Sequence, residues 1–212
     1  MKVACNIISA AKVYAPEKIE ELDEKRIVPK MMLRRRLTRN AKIMLYLADK
    51  CGFKSGKVVY GSAYGELQAT VGITDAILEN EQISPTLFQN SVYNAAPSYF
   101  SLLHSDKDEI ITVSSGKRTS YEALRTAALQ AVVSGERVLC VATECLDIPK
   151  IDELDICTSY LESGAAVVIE VVEDKQDVSE LQKSSQDEII DSLSHLFWLV
   201  DNKEGKIVFI EL

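Results

Sequence analysis

The chain has 212 residues, 47% of them hydrophobic and 26% charged, with a formal net charge of −8; this is the composition of one ordinary globular domain with one substantial core. The acidic balance argues against nucleic acid as the main partner, because neutralising phosphates takes a basic surface. Cys5, Cys51, Cys140, Cys145 and Cys157 make an odd number with no Cys-Xaa-Xaa-Cys pair, which suits neither a disulfide framework nor a zinc site and reads as cytosolic thiols.

Residues 3–8 predict a buried strand; the apolar start has the superficial pattern of a signal peptide, but Asn6 and Ser9 interrupt it and it is short. No stretch approaches the ~18 uninterrupted apolar residues of a membrane span. The acidic stretch 17–24 suits a solvated turn, and Pro29 suits the start of a helix. From there Leu33, Leu37, Ala41, Met44, Leu45 and Ala48 recur at helical spacing, so one continuous helix is expected, closed by Gly52 and Gly56. Arg34, Arg35, Arg36, Arg39 and Lys42 on this segment form a basic cluster without an acid among them. Residues 57–60 predict a short strand, 61–65 a glycine turn, and the residues after it a helix to about Asn80.

An apolar segment from Ala95 to Leu103, a polar turn and the β-rich run Ile110, Ile111, Thr112, Val113 lead into the turn Ser114, Ser115, Gly116, Lys117, Arg118. Thr119 with Glu122 three residues on reads as a capping box opening a helix over 121–133, whose Ala123, Ala127, Ala128, Ala131 and Val132 predict burial on more than one side. Residues 137–142 predict a strand, 147–160 an acidic loop and 165–172 a β-branched strand. A helix over 186–193 and a hairpin pairing 196–200 with 207–210 finish the chain. No internal repeat is present. Alternating strands and helices make an α/β layered domain, with 1–172 as its body, 173–185 as a charged connector and 186–212 as a carboxy-terminal helix and hairpin packing on the same domain.

Little in this pattern carries bond-making chemistry. His104 stands in a polar turn and reads as a surface residue, and His195, among apolar neighbours, reads as a packing residue. Ser114 and Ser115 lie at a turn, but a nucleophilic serine needs an adjacent base and usually a Gly-Xaa-Ser-Xaa-Gly elbow, which is absent. Gly116-Lys117-Arg118-Thr119 lacks the earlier glycine of a phosphate loop and has Arg118 where Ser or Thr should follow the lysine. Cys140 lies inside an apolar strand and reads as core. No cofactor and no metal are expected.

The segment 83–97 with its Ser84-Pro85 and Asn94-Ala95-Ala96, the strand 110–113 and the turn that follows it, together with Pro29 to Leu37, Val58 to Leu67 and Gly164 to Glu170, resemble the amino-terminal half of the beta-ketoacyl synthases of the thiolase-like superfamily, over roughly residues 1–172. Within that family the chain resembles the short ketosynthase-like proteins that act as chain-length-factor-type partners in aryl polyene and related pigment clusters. In the family the turn after the strand carries the catalytic cysteine; here it reads Thr112-Val113-Ser114-Ser115-Gly116-Lys117-Arg118, without one.

The resemblance implies a thiolase-like half: a five-stranded mixed sheet layered between helices, with a short carboxy-terminal helix and strand extension and with the helix near Thr119 in the middle of the particle. It implies a non-catalytic cytoplasmic subunit that pairs with a full-length beta-ketoacyl synthase and meets an acyl carrier protein, in fatty acid, polyene or polyketide biosynthesis. Phe88, Val92, Tyr93, Tyr99 and Phe100 would then floor the partner's acyl tunnel, against the alternative of ordinary core. Ile110, Ile111, Thr112 and Val113 would be the sheet edge that pairs across the dimer. Arg34, Arg35, Arg36, Arg39 and Lys42 would dock the carrier or a partner, against the alternative of a solvated helix face. An active acyltransferase with an unrecognised nucleophile, and a homodimeric binding or scaffold protein, stay open as rival readings.

Overall fold

A computed structural model of the chain describes residues 2–149, 151, 158–172, 191–203 and 205–212; the expected connector 173–185 lies outside them. The first strand, β1 (Lys2–Ala15), runs well past its expected end at residue 8. Its second half stays extended because it pairs antiparallel with β5 (Glu162–Val171) as far as Ala15 opposite Glu162, across a register shift between Ile7 and Ser9.

The expected single helix after Pro29 is divided. Following α1 (Glu24–Ile27), the chain forms α2 (Met31–Arg34), leaves helical geometry, and restarts as α3 (Arg39–Lys50). Thr38 is extended and its Oγ1 accepts the Ala41 N–H at 3.1 Å, so a side-chain cap starts a new helix where periodicity alone continues the old one. Buried Leu37 pins the break. α3 lies directly on β5: a Cβ at Gly164 would come within 2.7 Å of Ile43 and 2.9 Å of Leu47, so this glycine sets the helix-to-sheet distance.

Next come β2 (Lys57–Gly61), α4 (Leu67–Leu78), α5 (Pro85–Asn90), α6 (Ala95–His104), β3 (Ile110–Val113), a 3₁₀ turn at Gly116–Arg118, α7 (Thr119–Ser134) and β4 (Val138–Cys145). After β5 follow α8 (Ser194–Lys203) and β6 (Ile207–Glu211). The strands form one mixed sheet in the order β3-β2-β4-β5-β1-β6, with β2 parallel to β3 and β4 and the other pairs antiparallel. The expected five strands are there, and the carboxy-terminal strand adds a sixth at the β1 edge.

The carboxy-terminal hairpin does not form. Residues 196–200 belong to α8, and β6 pairs instead with β1, Lys2 opposite Glu211 to Asn6 opposite Ile207. Leu193, Leu196 and Leu199 recur every third residue and are all buried, which is a helical stripe; the β-rich run Phe197-Trp198 obscures it in the sequence. The expected helix over 186–193 falls outside the described residues up to 190, and 191–193 form a bend and turn.

Two apolar layers sandwich the sheet. On one side Ile43, Met44, Leu47 and Phe100 from α3 and α6 pack on Tyr60, Leu139, Val141 and Val168; on the other Ala123, Ala127, Ala128 and Ala131 of α7 and Leu196 and Leu199 of α8 pack on Val59, Cys140, Val167 and Ile169. Residues 139 and 140 face opposite layers, so β4 is buried on both sides. α7 is an outer helix rather than a central one: Leu129, Val132 and Val133 on its far face are 47%, 41% and 74% exposed. No helix among the described residues is long and apolar enough to cross a membrane.

Candidate functional site

The turn between β3 and α7 is closed by its own hydrogen bonds. Thr119 does not form the expected capping box: its Oγ1 accepts the Ser115 N–H at 3.0 Å and donates to the Gly116 carbonyl at 2.7 Å. Glu122 instead pairs with Arg118 at 2.7 Å and Arg125 at 3.0 Å. Two guanidiniums outbid the single backbone N–H that a box would supply. Ser114 Oγ donates to the Ala63 carbonyl at 3.3 Å. The backbone N–H of buried Ser120, in the first turn of α7, donates to the Ser192 carbonyl at 2.8 Å, so the segment before α8 occupies the amino terminus of this helix.

Among the described residues, nothing near that turn has the character of a nucleophile with its base. His195 packs its ring on Tyr121, centroids 4.9 Å apart, and burial together with the nearby Arg118 cation holds its pKa below the usual imidazole value. His104 lies against Phe100 at 4.7 Å, and its pKa is likewise lowered by burial. Burial pushes the Cys5 thiol up to about 12 and the thiols of Cys140 and Cys145 higher still; these are core sulfurs, away from thiolate chemistry. Among the described residues no group of three or more His, Cys, Asp or Glu side chains is placed to hold a metal ion.

The polar residues that organise this end of the sheet are buried carboxylates that motif reading passed over. Glu144, wholly buried at the end of β4, accepts from Ala63 N (2.5 Å), Ser62 Oγ (2.9 Å), Ser192 Oγ (3.1 Å) and Tyr64 N (3.4 Å). Burial outweighs these four donors and raises its pKa to about 7. Glu66 accepts from Thr38 Oγ1 at 2.7 Å and is also raised by burial to about 7. Beside it Tyr60 and Thr143 share a hydrogen bond of 2.7 Å, and Thr143 donates to Asn40 at 3.0 Å. The available signal was one acid in each of two otherwise uncharged runs, Glu144 in Val138–Cys145 and Glu162 before Ser163-Gly164-Ala165-Ala166.

Glu162 also explains what becomes of the basic cluster. Arg39 forms an ion pair with this wholly buried carboxylate at 2.5 Å and donates to the Ile19 carbonyl at 2.8 Å. Lys42 pairs with Glu24 at 3.0 Å, and Arg34 donates to the Val28 carbonyl at 2.7 Å. Three of the five cations are therefore committed inside the domain, leaving Arg35 and Arg36 exposed.

The expected tunnel residues divide in the same way. Tyr99 and Phe100 are core, 8% and 0% exposed, with Tyr99 Oη donating to the Arg36 carbonyl at 2.7 Å. Phe88, Val92 and Tyr93 stand 68%, 48% and 43% exposed. Near Tyr93, β3 pairs with β2 on one side and with no described strand on the other. An open groove of about 550 Å³ runs between α6 and this free edge, lined by Tyr93, Asn94, Ser98, Leu102, Ile110 and Thr112 among others. Leu102 is 66% exposed. An unpaired edge flanked by bare apolar side chains is the arrangement proteins ordinarily cover.

Solved structures share this architecture. A ketosynthase (ApeO) in complex with its chain length factor (ApeC) from Xenorhabdus doucetiae aligns at a TM-score of 0.63 with 22% identity, over 79% of each chain. The ishigamide ketosynthase/chain length factor aligns at 0.63 with 12% identity, over 82% of this chain and 64% of that one. A type II polyketide acyl-carrier protein in complex with its ketosynthase (AntDE:AntF) aligns at 0.59 with 13% identity, over 80% and 62%. At these identities the likeness is one of fold. No curated protein sequence matches the chain. The family model for the beta-ketoacyl synthase, N-terminal domain, matches residues 10–205, and the chain belongs to that family.

Proposed function

We propose that the chain is a non-catalytic, chain-length-factor-type subunit that pairs with a full-length beta-ketoacyl synthase and shapes its acyl tunnel, in fatty acid, polyene or polyketide biosynthesis. The partner's own groups would carry out decarboxylative condensation on acyl-carrier-protein thioesters in the cytoplasm, and this chain would supply surface. The observation that carries the reading is a juxtaposition: the turn opening α7 has no thiol and its helix terminus is filled by Ser192, while the β3 edge that leads into the same turn has no described strand beyond it and faces a groove lined by Tyr93 and Leu102. A closed reaction position next to an uncovered docking edge suits a subunit that completes another protein's site. The similar solved structures, which pair ketosynthases with chain length factors and with a carrier protein, agree with this reading. Carrier docking would fall to Arg35 and Arg36 rather than to the whole basic cluster, because the other cations are spent internally.

The test is purification of the tagged chain from its native host, with mass spectrometry of what comes with it, followed by treatment of the isolated chain with an acyl thioester. A stoichiometric ketosynthase and an unacylated chain are expected. Selective acylation of Ser114, Cys140 or Cys145, or a chain that associates only with copies of itself, overturns the proposal.

A further inference from the structure

Glu144 is the only charged residue of β4, and it is wholly buried. Removing a carboxylate from water is expensive unless its oxygens are well supplied with donors. Its four donors come from two places. Three belong to the loop 62–65 and one, the Ser192 hydroxyl, to the segment that precedes α8.

The loop is held firmly. Ser62 N donates to the Val113 carbonyl at 3.1 Å, Gly65 N to Ser62 Oγ at 2.8 Å, and Asn40 Nδ2 to the Gly65 carbonyl at 2.8 Å. Its outward face carries Tyr93. The Tyr93 hydroxyl donates to the Ala63 carbonyl at 3.2 Å, and its ring lies against Gly65, where an added Cβ would come within 3.1 Å of it and where φ is +63°. Ala63 thus offers its N–H to Glu144 and its carbonyl to Tyr93. On the inner side the Ser192 carbonyl takes the Ser120 N–H of α7. One connected path therefore runs from the first turn of α7 through Ser192, Glu144 and Ala63 to the aromatic wall of the open groove.

We infer that Glu144 and Ser192 are positioning residues for that groove: the carboxylate, tied by Ser192 to the carboxy-terminal segment, fixes loop 62–65, and the loop fixes Tyr93. This rests on the reading of the groove as the partner-facing surface. The carboxy-terminal segment then does more than add a strand and a helix, because it sets the shape a partner meets on the other side of the domain. A carboxyl group is needed because the Ala63 and Tyr64 N–H groups, one on each oxygen, can only donate; both carboxyl oxygens can accept with or without the proton, which a serine hydroxyl can take, whereas an amide turns one acceptor into a donor and sets it against one of these N–H groups.

The experiment uses the full chain with ring-labelled tyrosine, the Tyr93 resonance being identified by its loss in Tyr93→Phe. Glu144→Gln should shift the Tyr93 ring signal and weaken pairing with the ketosynthase that co-purifies with the chain by about tenfold. Ser192→Ala should shift the signal in the same direction by a smaller amount, and Ser192→Thr, which keeps the hydroxyl, should restore it. Glu170→Gln, at a surface ion pair with Arg137, serves as a control and should leave the signal in place. If Glu144→Gln fails to fold, the Ser192→Ala and Ser192→Thr pair decides. A folded Glu144→Gln or Ser192→Ala chain with an unmoved Tyr93 signal overturns the positioning role. A moved signal with unchanged pairing upholds the positioning role and overturns the partner-facing reading of the groove instead.

Discussion

Glu66 and Glu144 make the stability of this domain depend on pH in the direction opposite to that of a salt-bridged acid. Each has a pKa of about 7 in the folded chain against 4.5 for the free side chain, because burial disfavours the anion more than the surrounding donors favour it. Between those two values the folded state keeps a proton that the unfolded state has released. Stability is therefore fully present below the unfolded pKa and is lost as pH rises through the folded one. That difference amounts to roughly 3 kcal/mol for each group, most of which falls between about pH 5 and about pH 8. His104 and His195 work the other way, since their lowered pKa values favour folding as pH rises toward the ordinary imidazole range. The measurement that separates these contributions is urea unfolding of wild type and Glu144→Gln over that range. The substitution changes absolute stability through its hydrogen bonds, but the difference between the two curves should move by roughly 2–3 kcal/mol in favour of the variant as pH rises. Parallel curves would show that Glu144 is ionised throughout, and the argument from burial would be refuted.

Arg39→Met leaves the wholly buried Glu162 with a single backbone donor among the described residues, Ile19 N, and should cost about 3–5 kcal/mol in urea unfolding; a loss under 1 kcal/mol, roughly the worth of a surface pair, would contradict its assignment as a buried ion pair. Phe88→Ala removes a ring that is 68% exposed, so it should cost the isolated chain only about 1–2 kcal/mol while altering product length in the assembled pair, read by chromatography of the products; Phe100→Ala, in the core, should cost about 3–5 kcal/mol. An unchanged product distribution from correctly assembled Phe88→Ala and Tyr93→Ala pairs would take both residues out of the tunnel. Thr112→Pro removes a ladder donor from β3 and should weaken assembly as measured by light scattering; assembly at wild-type strength would place the interface elsewhere.

Much of this molecule can be read from local pattern. Consecutive apolar residues in Val138–Cys145, the helical stripe of Ala41, Met44, Leu45 and Ala48, and the turn glycines near 61–65 place strands, helices and their order, because burial on one face or two is written into periodicity. The same order of segments carries the family, and the missing thiol in 114–118 is visible without coordinates. Where a local signal competes with a stronger neighbour, pattern misleads. The stretch 29–50 is periodic as one helix, but a threonine cap at residue 38 divides it; Phe197 and Trp198 have strand propensity, but Leu193, Leu196 and Leu199 align on the core side of a helix.

Partnership between distant residues is what only the tertiary structure decided. Composition alone makes Arg39 and Lys42 members of a basic patch, whereas the fold brings Glu162 and Glu24 to them and leaves the surface with fewer free cations. Phe88, Val92, Tyr93, Tyr99 and Phe100 look equivalent in sequence, yet Tyr99 and Phe100 point into the core because α6 has to bury one face against α3, while Phe88 on α5 and Val92 and Tyr93 in the turn after it stay exposed. Glu144 becomes a hub only when Ser62, Ala63, Tyr64 and Ser192 converge on it from segments 48 to 82 positions away. A chain's periodicity records which side of an element is covered; the identity of what covers it depends on contacts that no local pattern encodes, and the open edge, the closed turn and the groove between them all arise at that level.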